Sequence, residues 1–341
     1  MSKKTSLISL SLPALLAVLL HAAGTYKVVA RYPIPGNGGF DYVTLDECAR
    51  RLYAAHGTQV NVLDADSGKQ VGVIPDTPGV HGVAIATGLH HGFVSIGAEN
   101  QVLMFDPATL KPIKKIDTGP GPDGIYFDPG SRRVFTNNHG THDITAIDAA
   151  TGKVVGTVKV DGDGEQPVLA GGLVYVNSED TDEVVIFDPK TLAVTKRFPI
   201  GVAKTPTGLA YDAKHKRLFI ACREEPKLVV MDAASGKVVA SFPIAGGADW
   251  AHFDPASRQV FVSTGEGLLN VFHQKSADQY EDAGAVKTQP SAKTMAFDAK
   301  TNKIFLTALE YEPAAATAAE PGKRPRRKIK PDSGVLLVVD R

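Results

Sequence analysis

The chain has 341 residues, of which 37 are basic, 37 acidic, 33 glycine, 22 proline and two cysteine, and 43% are hydrophobic. This composition is typical of a globular protein and excludes a disordered chain, a collagen-like fibre and a small disulfide-stabilised scaffold. The balanced charge also argues against a strongly basic nucleic-acid-binding module.

The N-terminus carries the pattern of a secretory signal peptide. Lys3 and Lys4 precede an apolar stretch from Leu7 to Leu20, and small residues follow at Ala22–Gly24. The stretch is short for a membrane span and contains a proline, which favours export over anchoring. We therefore expect residues 1–24 to be removed and no transmembrane segment to remain. The expected location is the bacterial periplasm or the medium outside the cell.

Short apolar segments that end in Asp recur along the rest of the chain. The first five copies end at Asp64, Asp106, Asp148, Asp188 and Asp232, with spacings of 42, 42, 40 and 44 residues. A sixth copy ends in His273 and a seventh in Asp340. Seven copies at about 42 residues each are typical of a β-propeller.

Each of these Asp residues opens a tight turn, as from Asp64 to Gly68. The carboxylate can accept hydrogen bonds from the turn amides, and the glycine supplies a positive φ. Leu110 and Leu192 stand where two turns would have that glycine, so the turn need not be identical in every blade. With the hairpin that follows, each repeat holds four short strands, which we letter A to D from the axis outward.

The repeats predict an all-β fold: a seven-bladed β-propeller with four-stranded antiparallel blades, forming one domain over residues 25–341. The last blade takes strands A to C from residues 293–340 and strand D from residues 26–33. Pairing the N-terminal strand with the C-terminal strands closes the ring and leaves no open sheet edge.

The B strands Val134–Asn137 and Val174–Asn177 lie on either side of the turn Asp148–Lys153, which reads Asp-x-x-Thr-Gly-Lys. These segments resemble the YVTN repeats of the YncE-like family of bacterial seven-bladed propellers, and the resemblance covers nearly all of residues 25–341. It implies a secreted or periplasmic ring from a mostly non-enzymatic or uncharacterised group, in which a DNA-binding member is suggested. The strands at 52–55 and 218–221 depart from the pattern because they lack the Asn.

The topology brings polar residues from different blades to one mouth of the central channel, where strands A begin and strands B end. The residues before the A strands are Asp41, His81, Asp123, Gln166, Thr207, Asp249 and Lys293. The candidate ligand-binding residues at this mouth are Asp41, His56, His81, Asp123, Asn138, His139, Glu179, Arg223, Asp249 and Trp250.

The residues at the mouth fit more than one kind of binding site. His56, His81 and His139 could together ligate zinc or copper, or the histidines could bind an anion or a sugar with Arg223. The alternative is that they are loop residues pointing at water, since no compact ligand spacing is present. Trp250, the only tryptophan, either stacks on a ligand or packs between blades five and six.

Two other polar features have structural interpretations. Residues 161–165 resemble the opening of a calcium loop but lack its remaining ligands, which favours a solvated loop between blades. Cys48 and Cys222 fall at opposite ends of strands that are about 17–20 Å long, beyond disulfide reach. We expect both thiols to be reduced, and buried or inert.

An insertion at residues 312–333 interrupts the last repeat between strands B and C. Its basic part contains Lys323, Arg324, Arg326, Arg327, Lys328 and Lys330. The segment is either a disordered loop kept soluble by its charge, a lid over an anionic ligand, or an arm that binds an anionic partner such as DNA or envelope lipid.

The sequence contains no serine-hydrolase elbow, His-Glu-x-x-His motif, phosphate-binding loop or haem-attachment motif. We therefore expect a monomeric, non-enzymatic ligand-binding or protein-interaction scaffold, with no cofactor identified. The alternative is a metal-dependent, lactonase-like hydrolase, in which carboxylates at the mouth hold a divalent metal and one of them acts as general base.

Overall fold

The computed structural model describes residues 26–313 and 328–341. These residues form seven four-stranded antiparallel sheets, arranged as the blades of a ring. The predicted fold class is therefore confirmed. The predicted signal peptide and the basic positions Lys323, Arg324, Arg326 and Arg327 lie outside the described residues. Within the described ranges, no helix is long and apolar enough to cross a membrane.

In blades one to six the strands follow chain order from A to D. Blade one has β2 (Phe40–Asp46), β3 (Arg51–His56), β4 (Gln59–Asp64) and β5 (Gln70–Ile74). Blade two has β6 (Val80–Ala86), β7 (His91–Ile96), β8 (Gln101–Phe105) and β9 (Pro112–Asp117), with one short 3₁₀ turn at Gly97–Glu99. Blade three has β10 (Pro122–Asp128), β11 (Arg133–Asn138), β12 (Asp143–Asp148) and β13 (Lys153–Lys159).

The next three blades repeat this arrangement. Blade four has β14 (Gly164–Ala170), β15 (Leu173–Ser178), β16 (Glu183–Phe187) and β17 (Val194–Pro199). Blade five has β18 (Lys204–Asp212), β19 (Arg217–Glu224), β20 (Lys227–Asp232) and β21 (Val238–Pro243). Blade six has β22 (Ala248–Asp254), β23 (Gln259–Thr264), β24 (Leu268–Ser276) and β25 (Gln279–Lys287).

Blade seven is built from both ends of the described chain, as predicted. It takes β26 (Met295–Asp298), β27 (Lys303–Ala308) and β28 (Val335–Asp340) from the C-terminal part, and β1 (Lys27–Pro33) as its outer strand. The antiparallel register of this closure pairs Lys27 with Asp340 and Pro33 with Val335. The ladder closes the ring by hydrogen bonds between the two ends, and no disulfide takes part.

The apolar core lies between neighbouring blades. The third residue of most B strands is a fully buried aromatic side chain, namely Tyr53, Phe93, Phe135, Phe219, Phe261 and Phe305. These rings reach into the adjacent sheet: the Tyr53 ring centroid lies 6.0 Å from that of Phe105, and Phe135 lies 5.5 Å from Phe187. Each blade therefore buries its faces against its neighbours, which holds the A strands around a common axis.

In blades one to five, the turns between strands C and D share one backbone hydrogen bond, although Leu110 and Leu192 replace the glycine in two of them. The Leu110 amide donates to Asp106 O at 2.7 Å, as Gly68 donates to Asp64 O at 2.8 Å. Leu110 and Leu192 have φ of 61° and 64°, which is unfavourable for a side-chain-bearing residue. Packing across the blade interface offsets this cost, because Leu110 Cδ1 occupies the space beside Gly72 of the preceding blade.

Candidate functional site

A β-bulge in strand A places one residue per blade at the mouth of the channel. In blades one to four, two residues of strand A face one of strand B, as where Asp41 and Tyr42 lie opposite Ala55. A shorter form of the same bulge is present in blades five and six. The bulge residues, with Lys293 in blade seven, form what we call the mouth ring: Asp41, His81, Asp123, Glu165, Thr207, Asp249 and Lys293.

Blade four contributes Glu165 to the mouth ring, and not Gln166 as the sequence had indicated. The constant interval of 42 residues from Asp123 to Glu165, Thr207 and Asp249 is the signal that identifies it. Glu165 is only 6% exposed, so the interpretation of residues 161–165 as a wholly solvated loop is wrong at this position.

Cations concentrate on the side of the mouth ring formed by blades five to seven. Lys293 Nζ lies 2.6 Å from Asp249 Oδ2 and 3.2 Å from Asp41 Oδ1. Arg223, near the end of strand B of blade five, pairs with Glu179 Oε1 at 2.9 Å and also with Asp249. Burial opposes the charge on Lys293, but Asp249 and Asp41 outweigh it and raise the pKa of the ammonium above its usual range. Asp249 thus binds two cations at once.

Imidazoles occupy the opposite side, formed by blades one to three. His81 Nδ1 lies 2.7 Å from Asp41 Oδ2 and 3.3 Å from Asp123 Oδ2. His139 Nδ1, from the loop after strand B of blade three, lies 3.7 Å from the same Asp123 oxygen. The other oxygen, Asp123 Oδ1, is buried and accepts no hydrogen bond. Burial and the neighbouring Asp41 carboxylate raise the pKa of Asp123 to about 6.

A second cluster lies at the rim, outward from His139. His142 Nδ1 is 2.9 Å from Asp163 Oδ1 and 3.7 Å from Asp180 Oδ2. His142 and Asp180 have side chains that are 49% exposed, so water reaches this rim cluster freely. His139 Nδ1 lies 4.0 Å from Asp163 Oδ2, which places its ring between the rim cluster and the mouth ring.

Side chains that cross the channel close it beneath the mouth ring. The Tyr42 hydroxyl of blade one donates to Glu165 Oε2 of blade four at 3.0 Å. The Gln166 side chain accepts from the Ala251 amide at 3.0 Å and donates to the Ala251 carbonyl, bridging blades four and six. Trp250 packs against Tyr42 with ring centroids 5.5 Å apart. Burial, a hydrogen bond to Glu179 and nearby carboxylates raise the pKa of Glu165 well above its usual value.

The far end of the channel is a mainly apolar funnel of about 370 Å³ lined by the A strands. His252 in its wall stacks on Phe297 at 4.4 Å between centroids. Burial lowers the pKa of His252 to about 4, so the imidazole is neutral at ordinary pH. The two ends of the channel therefore differ: a charged mouth above the crossing side chains, and an uncharged funnel below them.

The structure does not bring every predicted site residue into the mouth ring. His56 is buried, stacks on Phe40 with centroids 4.1 Å apart and contacts Asn61 Oδ1 through Nδ1 at 3.2 Å. Asn138 donates to Asp143 Oδ1 and Thr145 Oγ1 and so shapes its own blade. Trp250 lies inside the channel, lining both the funnel and a small cavity beneath Tyr42. Asp41, His81, Asp123, His139, Glu179, Arg223 and Asp249 do belong to the charged network.

The two ends of the inserted segment that are described lie against each other. Tyr311 and Ile329 form an antiparallel bridge. Lys330 Nζ lies 2.7 Å from Glu310 Oε2, and Lys328 Nζ lies 2.9 Å from Glu312 Oε1. These two basic side chains are thus paired with acidic residues at the base of the insertion.

Comparison with known proteins agrees with the repeats. The sequence matches the family described as YNCE-like beta-propeller over residues 83–242. It is 26% identical over 151 residues to the "Uncharacterized protein YncE" of Escherichia coli O157:H7, covering 40% of this chain and 42% of the relative. A protein of the same description from Salmonella typhi is 23% identical over 155 residues, covering 43% of each chain. The matches span about two fifths of the length of these curated relatives.

Solved structures show the same fold at low identity. "Crystal Structure of Mitotic Checkpoint Complex" aligns with a TM-score of 0.75 and 12% identity, covering 100% of this chain and 99% of that chain. "Kuenenia stuttgartiensis Hydrazine Synthase" aligns with a TM-score of 0.70 and 14% identity, covering 80% and 94%. At these identities the likeness concerns the fold alone. The alignments confirm the β-propeller fold, and the sequence matches show that the chain is similar to the YncE-like family over residues 83–242.

Proposed function

We propose that this propeller is a binding scaffold whose working site is the mouth ring, and that its ligand carries a positively charged group. The observation that supports the proposal is the excess of carboxylates in one connected network. Among the described residues, the carboxylates of Asp41, Asp123, Glu179 and Asp249, with Glu165 beside them, face two permanent cations, Arg223 and Lys293. A cationic ligand would relieve the repulsion among the carboxylates, whereas an anion would add to it.

The proposal also covers where the protein acts and its oligomeric state. The predicted signal peptide at residues 1–24 supports a site of action in the periplasm or outside the cell, with one propeller unit from residue 25 onward acting as a monomer. An anionic partner for the insertion at 312–333 stays a prediction, because four of its six basic positions lie outside the described residues.

A thermal-shift titration with spermidine, a small trication, tests the binding proposal. With a chelator present to exclude metal effects, spermidine should raise the melting temperature of the full chain. The rise should be much smaller for Glu179→Gln, which removes a charge from the network. Asp66→Asn is the matched control, because Asp66 is 60% exposed and pairs with Arg50 away from the mouth. Equal stabilisation of all three proteins, or of none, would overturn the proposal.

The second candidate function is a metal-dependent, lactonase-like hydrolase. It is favoured by Asp41, His81 and Asp123, whose ligand atoms all lie within 4.8 Å of one another. A divalent ion there would polarise a substrate carbonyl, and a neighbouring carboxylate would serve as general base. Turnover of simple γ-lactones that is lost on chelation and absent in Asp123→Asn would establish this function. Its absence at every metal tested would leave the binding scaffold.

A further inference from the structure

We propose that Asp41, His81, Asp123 and His139 form a binding site for one divalent transition-metal ion, and that zinc is the ion their donor set fits best. The inference deepens the proposed function, since it names the cationic ligand of the mouth ring. It rests on four features of the described residues. One oxygen of Asp123 has no hydrogen-bond partner, and one nitrogen of His81 faces two carboxylates. The protein's cations lie on the other side of the mouth, and the donor atoms are of the types that zinc binds.

Asp123 has one carboxylate oxygen without a hydrogen-bond partner. Its Oδ1 atom is buried and accepts no hydrogen bond, and its Oδ2 atom lies 3.3 Å from His81 Nδ1 and 3.7 Å from His139 Nδ1. Buried carboxylates in folded proteins are normally paired or bound to a metal, because an isolated buried charge is costly. The Asp123 side chain is only 15% exposed, so water supplies little compensation.

The His81 imidazole lies between two carboxylates. A single nitrogen, Nδ1, faces both Asp41 Oδ2 at 2.7 Å and Asp123 Oδ2 at 3.3 Å. That nitrogen carries at most one hydrogen and can donate one good hydrogen bond, so one carboxylate is always left without it. A metal ion would satisfy all three groups: Nδ1 would lose its proton to solvent and coordinate through its lone pair, Nε2 would keep its hydrogen, and both carboxylates would coordinate. The double positive charge of the ion would then balance the two carboxylates.

Lys293 and Arg223 pair with other carboxylates and not with Asp123. Lys293 contacts Asp41 through Oδ1, so Asp41 Oδ2 remains directed at His81. Arg223 pairs with Asp249 and Glu179 on the other side of the mouth. Within the described residues, neither Lys293 nor Arg223 is paired with Asp123. Among the described residues, the region between blades one, two and three therefore has carboxylate acceptors for a cation, and only the imidazoles of His81 and His139 face Asp123.

The donors suit zinc in type, and three of them are also close together. Two imidazole nitrogens and two carboxylate oxygens make a set that zinc accepts in tetrahedral geometry, with donors roughly 3.3 Å apart for bonds of about 2.0–2.1 Å. The ligand atoms of Asp41, His81 and Asp123 lie within 4.8 Å of one another, with separations of 2.7 and 3.3 Å from His81 Nδ1. His139 is not in that group; its Nδ1 lies 3.7 Å from Asp123 Oδ2 and would move inward to become the fourth ligand. The first three ligands occupy bulge positions of successive A strands, about 40 residues apart in sequence, so they form no compact motif.

The rim cluster of His142, Asp163 and Asp180 is the competing site, and it provides the control. Its three ligand atoms are as close together as those of the inner site. His142 and Asp180 are half-exposed, so water can hydrogen-bond to them. This cluster therefore has no counterpart of the buried, unpaired Oδ1 atom of Asp123. Removing a rim ligand tests whether any bound metal is held inside the mouth or outside it.

Zinc titration of the metal-stripped full chain tests the inference. We expect one tightly bound Zn²⁺ per chain by calorimetry and native mass spectrometry. His81→Ala and Asp123→Asn should each weaken binding by about 100-fold or more, whereas His142→Ala should leave it unchanged. With Co²⁺ in place of zinc, the visible absorption of a tetrahedral site should appear in the wild type and in His142→Ala, and should be absent in His81→Ala.

Two outcomes would overturn the site. One is no stoichiometric zinc in the wild-type chain, and the other is loss of zinc in His142→Ala with retention in His81→Ala. Circular dichroism of the metal-free variants checks folding, and Asp123→Asn should fold well because it removes a buried charge. Failure of zinc binding with spermidine stabilisation intact would overturn this inference alone. Failure of both would overturn the proposed function as well.

Discussion

The Tyr42 hydroxyl donates a 3.0 Å hydrogen bond to Glu165 Oε2, and this bond joins the inner strand of blade one to the inner strand of blade four across the channel. The Trp250 ring of blade six also contacts Tyr42, and these two blades are not neighbours in the ring. Gln166 makes a similar connection, from blade four to the backbone of Ala251 in blade six. The crossing side chains thus tie the ring together at the level just below the mouth.

Tyr42→Phe should lower the free energy of unfolding by about 1–2 kcal/mol, because Glu165 loses a buried hydrogen-bond donor. Urea unfolding followed by circular dichroism measures the change. Tyr126→Phe is the matched control, since the Tyr126 hydroxyl is also buried but makes no hydrogen bond. The control should be neutral or slightly stabilising, and an equal loss in both variants would mean that packing of the ring, and not the crossing bond, is responsible.

Glu165 should also make stability depend on pH. Burial, then the hydrogen bond with Glu179 and the nearby carboxylates, raises the pKa of Glu165 well above its ordinary value of 4.5. Between the unfolded and the folded pKa the native chain binds more protons than the unfolded chain, so the contribution of Glu165 to stability falls as pH rises. Below the unfolded pKa no such loss occurs, and above the folded pKa it is complete.

Glu165→Gln should therefore be more stable than the wild type near neutral pH, and the difference should shrink towards pH 4. The slope of the difference between the two proteins cannot exceed about 1.4 kcal/mol per pH unit for one group. Urea unfolding of both proteins at several values between pH 4 and 8 measures it. A stability difference that is constant over this range would show that Glu165 is ionised in the folded protein.

The Asn of the YVTN repeat holds neighbouring blades together. Asn137 Nδ2 donates to the carbonyls of Gly164 and Glu165 at 2.8 and 3.0 Å, whereas Asn177 donates to Gly208 alone, at 3.0 Å. Both side chains are fully buried. Asn137→Ala should destabilise the protein more than Asn177→Ala, each by about 1–3 kcal/mol, because it removes two hydrogen bonds to backbone carbonyls where Asn177→Ala removes one. Thermal unfolding of the pair decides the order, and the reverse order would refute this role.

Much of the fold could be predicted from the sequence, because the repeat sets both the blade number and the strand register. The closing strand at 26–33 followed from counting strands in the last blade. The sequence does not indicate how Leu110 keeps its positive φ, because the Leu110 side chain packs beside Gly72 in another blade. Such a contact between blades leaves no trace in the local sequence.

The candidate site was predictable in its position but not in its pairing. Asp41, His81, Asp123 and Asp249 were identified because the topology brings strand starts together. Glu165 was missed by one residue, since a β-bulge changes the alternation of side chains and only the interval of 42 residues reveals it. His56 was included because its sequence repeats that around His139, but its ring is covered by Phe40. Rotamers and stacking of this kind depend on neighbouring loops.

The two cysteines should differ sharply in reactivity. Cys222 is buried, and burial raises the pKa of its thiol to about 12. Both thiols are free, as expected, but Cys48 is exposed and lines a surface cavity of about 490 Å³, so burial does not protect it. Ellman's reagent should therefore modify one thiol per native chain and two after denaturation. Cys48→Ser should remove the native reaction, and reaction of a second thiol without denaturant would contradict the burial of Cys222.

Gly97 should control the position of the His81 ring. A Cβ atom at Gly97 would lie 2.7 Å from His81 Nε2, so Gly97→Ala should push the imidazole away from Asp41. Burial lowers the pKa of His81, but the hydrogen bond to Asp41 and the charge on Asp123 outweigh it and raise the pKa above its usual value. Once that hydrogen bond is lost, burial dominates and the pKa should fall, which NMR titration of the histidine ring protons measures. Gly39→Ala is the control, because the nearest atom to a Cβ there, Ile329 Cδ1, is 3.9 Å away. An unchanged His81 pKa in Gly97→Ala would show that the ring can yield without losing Asp41.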